Sequence, residues 1–114
     1  MKLRILLIDD EPRWIEFARR DLESFEIVVA TSQEEAEAEL EKDRFTLVIA
    51  SSRWLSVLEL IRDKYADKQV MVTTIKPTPE EALNAYRRGA VDYIPKSFAN
   101  QELLEHVKKV VPTA

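Results

Sequence analysis

LRILLIDDEP, residues 3–12, is the stretch from which the rest of the chain can be read. Leu3 to Ile8 is apolar apart from Arg4, and a run without alternation suits a strand covered on both faces of a parallel sheet. Asp9, Asp10 and Glu11 end the run abruptly. Pro12 fits the first turn of a helix, where its missing N–H costs nothing. Ile15, Ala18, Leu22 and Phe25 follow at three- and four-residue spacing, which predicts a first helix with those residues inward.

The same alternation continues downstream. EIVVA (26–30) is short and β-branched, a second strand, and Ser32 with Glu35 has the spacing of a capping box that opens a helix with Ala36 and Leu40 inward. The acidic run Glu34, Glu35, Glu37, Glu39 and Glu41 reads as that helix's solvated face and is assigned no chemistry. FTLVIA (45–50) predicts a third strand, and Leu55, Leu58, Ile61 and Tyr65 keep helical spacing after it. VMVTT (70–74) is a fourth strand; Thr78, Pro79 and Glu81 supply an N-cap, a first-turn proline and a capping glutamate for a helix that stops at Gly89. VDYI (91–94) is a brief fifth strand. Leu103, Leu104, Val107, Val110 and Val111 form the stripe of a last helix ending before Pro112. Five strands alternating with five helices predict an α/β, doubly wound parallel sheet with helices on both faces, one domain over 1–114 with no repeat or linker.

Composition narrows the chemistry. The 114 residues carry a formal net charge of -4, with Lys and Arg scattered, so no footprint for direct nucleic-acid binding is visible. There is no cysteine and one histidine, His106, which removes disulfides, thiolate metal sites and histidine clusters. A single glycine removes the Gly-rich phosphate loops. The apolar opening is too short for a signal peptide or a membrane span, so the expectation is a cytoplasmic protein.

Functional groups in open parallel sheets gather beyond the carboxyl ends of the strands. Those ends offer Asp9 and Asp10, Ser51 and Ser52, Thr73 and Thr74, and Lys96. Paired carboxylates suit Mg²⁺, with hydroxyls and an ammonium available for phosphate oxygens. Equally, acids after a buried strand favour the N-terminus of the next helix for its dipole alone, and both readings stay open.

ILLIDDEP (5–12) and AYRRGAVDYIPKSF (85–98) resemble the receiver domain of bacterial two-component response regulators, over essentially the whole chain. The resemblance implies the flavodoxin-like receiver fold and a role in signal transduction. In that family an acidic pair holds Mg²⁺, an aspartate ending strand three takes a phosphoryl group from a histidine kinase, a hydroxyl ending strand four contacts it, and a lysine completes the site. Carried over, Asp9 and Asp10 match the metal pair, Thr74 the hydroxyl, Lys96 the lysine, and Tyr93 the aromatic that changes rotamer on activation.

The acceptor departs from the pattern. FTLVIASSRW (45–54) aligns Ser51 with the acceptor, and no aspartate lies between Asp43 and Asp63. A hydroxyl needs a general base to attack phosphorus, and a carboxylate does not. The loop after Ser51 is short and places Arg53 and Trp54 at the pocket, either as a standing charge and a cover or as a surface arginine and a core tryptophan. Ser97 follows Lys96 where the family has a proline after a cis bond, and a cis bond before serine costs about 3 kcal/mol, which favours trans there.

The expected function is therefore an atypical pseudo-receiver: a signalling module, not an enzyme, that works through protein contacts without aspartyl phosphorylation, with Mg²⁺ as its one possible cofactor. The alternatives are a phosphoryl group accepted at Ser51 or Ser52 and a small anion held by Ser51, Ser52, Thr74 and Lys96. The partner, a kinase, an effector domain or a second copy, is expected on the face of helix four, strand five and helix five. No direct nucleic-acid or membrane contact is expected. That face carries Tyr86, Arg87, Arg88, Tyr93, Leu103 and His106, of which Tyr86 and Leu103 equally suit the core.

Overall fold

Successive residues of a strand point to opposite faces, so the unalternating runs of this chain build two cores, one on each side of a sheet. The computed structural model describes residues 2–42 and 44–111; Met1, Asp43, Pro112, Thr113 and Ala114, and the side chain of Leu55, lie outside the description. Strands β1 (Arg4–Ile8), β2 (Glu26–Ala30), β3 (Leu47–Ser51), β4 (Gln69–Thr74) and β5 (Asp92–Pro95) alternate with α1 (Pro12–Asp21), α2 (Gln33–Glu41), α3 (Leu55–Lys64), α4 (Pro79–Arg87) and α5 (Glu102–Val110). All strand pairs are parallel, in the order β2-β1-β3-β4-β5. This is the expected five-stranded doubly wound fold.

On one face Ile5, Leu7, Leu47, Ile49 and Met71 pack against Trp14 and Phe17 of α1 and Leu103 and Val107 of α5. On the other, Leu6, Ile8, Val48, Ala50 and Val72 meet Ala36 and Leu40 of α2, Leu58 and Ile61 of α3, and Ala85 of α4.

Two sequence expectations shift. The buried face of α1 is Trp14, Phe17 and Ala18 with Leu22 beyond it, whereas Ile15 and Phe25 are only partly covered. Burying the Trp14 and Phe17 rings removes more apolar surface from water than burying Ile15 would, so the helix turns them inward. Strand β3 begins two residues later than expected and runs on through Ser51, which pairs with Thr73. Phe45 tucks into the core ahead of the ladder, and the Thr46 N–H bonds the Arg4 carbonyl at 2.9 Å.

The helix ends follow their caps. The Ser32 hydroxyl accepts the Glu35 N–H at 3.1 Å, but the Glu35 carboxylate returns one residue earlier than the box predicts, to the N–H and hydroxyl of Thr31. Those two bonds, the backbone one first, hold the Glu35 carboxyl below its ordinary value. Past α4, Gly89 takes φ +93°, the left-handed stop expected of it. Helix α5 is capped across the fold: the Asp21 carboxylate of α1 accepts N–H groups from Gln101 at 2.7 Å and Leu104 at 2.9 Å. No helix among the described residues is long and apolar enough to cross a membrane.

Candidate functional site

Strand order reverses between β1 and β3, and the crevice beyond their carboxyl ends collects the charged groups that the sequence scatters. Asp9, directly after β1, is fully buried, and its backbone N–H is fixed to the Ala30 carbonyl at 3.0 Å. Its Oδ1 accepts the Glu11 N–H at 3.1 Å. Lys96, past the end of β5, has a side chain only 3% exposed and places Nζ 2.8 Å from Asp9 Oδ2 and 2.9 Å from Glu11 Oε2. The approach to Oδ2 is too oblique for a directed hydrogen bond, yet an ammonium at that distance compensates the buried charge.

Arg53 closes the crevice from the other side. Its guanidinium Nη2 pairs with Asp10 Oδ1 and stands 3.9 Å from Asp9 Oδ1. The turn from β3 to α3 aims it there: the Trp54 N–H bonds the Ser51 carbonyl at 3.0 Å, and the Arg53 N–H points at Ser51 Oγ at 3.4 Å. Arg53 is an exposed surface arginine whose charge also stands at the crevice. Trp54 packs partly buried against the core. Ser51 itself, at the end of β3, is 3% exposed.

The donor set does not fit the divalent ion implied by the resemblance. Mg²⁺ takes one or two carboxylates with waters around an octahedron. Here Asp9 and Asp10 each face a side-chain cation, and a serine hydroxyl stands at the third position. Among the described residues no three carboxylate or imidazole groups form a metal cluster. In this structure Asp9 and Asp10 form the anionic half of an ion-pair network. All described peptide bonds are trans, Lys96–Ser97 included.

Residues 5–108 match the response regulator receiver domain family. The chain belongs to that family. Response regulator protein FleR of Pseudomonas aeruginosa is 32% identical over 96% of this chain and 24% of its own length. Response regulator MprA of Mycolicibacterium vanbaalenii is 29% identical over 97% of the chain and 51% of its own. The chain thus spans at most about half the length of these curated relatives. Among solved structures, a response regulator from Thermotoga maritima superposes with TM-score 0.90 at 26% identity, covering 99% of this chain and all of that one. Response regulator TrrA of the same organism, solved with Mg(2+)-BeF, gives 0.83 at 34%, covering 97% and 100%.

The receiver's hydroxyl and aromatic positions are tied to a residue that the sequence reading left as a helix cap. The Thr78 hydroxyl caps α4 by accepting the Glu81 N–H at 3.1 Å, but the Glu81 carboxylate does not return to Thr78. It accepts the Tyr93 hydroxyl at 2.5 Å, and that same hydroxyl accepts the Thr78 N–H at 3.2 Å. Tyr93 has taken over half of the capping box. Burial raises the Glu81 carboxyl, but the hydroxyls of Thr74, Tyr93 and Ser52 together outweigh it, and the group ionises below its ordinary 4.5. Burial, then Glu81, pushes Tyr93 above 10.0. Glu81 therefore contributes stability that is present above pH 4.5 and lost as pH falls through its lower folded value. Tyr93 contributes stability that is full below pH 10 and lost as pH rises through its folded value. In a spectrophotometric titration Tyr93 is expected to ionise later than an ordinary tyrosine. Glu81→Gln should bring it part of the way back, leaving the share due to burial.

The receiver face of α4, β5 and α5 holds most, though not all, of the residues assigned to it. Tyr86 is 49% exposed and Arg87 is exposed beside it. Arg88 is half-buried, tied to Glu59 at 3.1 Å and to the Asn84 carbonyl. His106 pairs with Asp92 at 3.0 Å across β5 and α5. Leu103 takes the core alternative: at 1% exposure it packs with the α5 stripe against the sheet. Leu83 on α4 and Val91 before β5 are exposed apolar residues that the sequence reading did not single out.

Proposed function

We propose that this receiver domain signals through protein contact and does not run on aspartyl phosphorylation. The observation that carries the reading is the state of Ser51: a buried hydroxyl at the acceptor position whose Oγ faces a backbone N–H, with Lys96 committed to Asp9 and Glu11. A serine would need a base. The hydroxyls of Ser52 and Thr74 bond the Glu81 carboxylate, and its lowered pKa makes it a poor base.

The contact surface is the exposed part of the α4, β5 and α5 face, with Tyr86 and Arg87 as anchors, since aromatic and arginine side chains carry most of the energy at interfaces. A kinase, an effector domain or a second copy of the chain is the partner class, in the cytoplasm, with no direct nucleic-acid or membrane contact. FleR and MprA are named as response regulators, which supports a place in two-component signalling.

Incubation with acetyl phosphate and Mg²⁺ followed by intact-mass measurement tests the reading. No added mass is expected, and beryllofluoride should leave the amide resonances of Asp10, Thr74 and Lys96 in place. A stable phosphoserine at Ser51 or Ser52 would sink it and make the domain an ester-forming phosphorelay component.

A further inference from the structure

We infer that Arg53 is a built-in cation standing where a divalent ion would bind, so that it compensates the open end of the acid pocket and weakens its hold on Mg²⁺. The network contains three carboxylates, Asp9, Asp10 and Glu11, and two cations, Lys96 and Arg53. Lys96 compensates the buried end: its side chain is 3% exposed, and Asp9 is fully covered. Arg53 compensates the open end, where a metal would enter, with its side chain 56% exposed and Asp10 45% exposed.

The geometry is a consequence of the short β3–α3 turn. Two residues after Ser51 the chain is already in the turn that leads into α3, and the Trp54 N–H on the Ser51 carbonyl holds Arg53 over the crevice. An ion entering between Asp9 and Asp10 would have to shed part of its hydration, displace the guanidinium from Asp10 and remain close to both cations. A carboxylate at the end of β3 would offset that repulsion. The Ser51 hydroxyl carries no charge with which to do so.

The inference concerns the pocket of the proposed function but not its chemistry, so a metal titration without a phosphoryl donor separates the two. A serine ester formed under acetyl phosphate would overturn the function and leave the metal question to this titration. Mn²⁺ can be added to ¹⁵N-labelled protein and the amide signals followed for paramagnetic broadening. Wild-type protein is expected to show no broadening selective for Asp9, Asp10 and Glu11 below millimolar Mn²⁺. Because the Arg53–Asp10 pair is exposed and partly screened, Arg53→Ala should lower the Mn²⁺ concentration that broadens those amides by about fivefold. Mg²⁺ should compete the effect away, and Arg53→Lys, which keeps the charge, should restore the wild-type response. Selective broadening of the wild type at micromolar Mn²⁺ would overturn the inference. So would an Arg53→Ala variant no more responsive than its parent.

Discussion

Lys96→Met is expected to lower the unfolding free energy by about 3–5 kcal/mol, the cost of leaving a buried charge without its partner. The uncompensated group is Asp9, fully covered and 2.8 Å from the ammonium in the wild type. Arg53, 3.9 Å from the other carboxylate oxygen and largely in solvent, can replace little of that compensation. A domain of this size commonly has about 5–15 kcal/mol in total, so the variant should unfold at much lower urea. The decisive comparison is the double variant Asp9→Asn with Lys96→Met. If the loss comes from an orphaned charge, removing that charge restores most of the stability; if it comes from the packing of the lysine stem, the double variant stays as unstable as the single one.

Trp14→Ala is expected to cost a similar amount, about 3–5 kcal/mol in urea unfolding, for a different reason. The indole is 1% exposed, stacks on Phe17 at 5.5 Å and meets Phe98 edge-on at 5.7 Å. Lys96 Nζ lies 5.9 Å from its ring centroid. Removing the ring empties the space between α1 and the segment after β5, and takes away the aromatic surface beside the ammonium. Trp14→Phe should cost far less. It keeps an aromatic ring and deletes the indole N–H, which is buried without a hydrogen-bond partner. A phenylalanine variant as damaged as the alanine one would mean that ring size, not aromatic packing, supports the site.

The acid pocket shows where reading the sequence stops. Asp9, Asp10, Ser51, Thr74 and Lys96 all lie at strand ends, as the alternating pattern predicted, because a parallel sheet brings its carboxyl ends to one edge. Who pairs with whom was not legible. Lys96 and Glu11 are 85 positions apart, and Arg53 and Asp10 are 43 apart. Both contacts depend on strand order and on the length of one turn. Glu11 looked only like the end of a strand, and its place directly after two acids was the one signal of its role. Glu81 was read correctly as an N-terminal residue of α4. Its carboxylate was then drawn away by a tyrosine 12 positions on, whose hydroxyl sits closer than the cap.

Periodicity, punctuation and composition by themselves determined five strands and five helices, the edge of the sheet where charged groups meet, and a hydroxyl at the end of the third strand. These are local properties, set by spacing along the chain and by residue type. The tertiary structure alone decided that Lys96 and Arg53 neutralise the first-strand acids, that Tyr93 is tied to α4 through Glu81, and that Trp14 rather than Ile15 faces the core. Ion pairs and ring contacts depend on distances of a few ångströms between residues far apart in sequence, and only the packed sheet and helices set those distances.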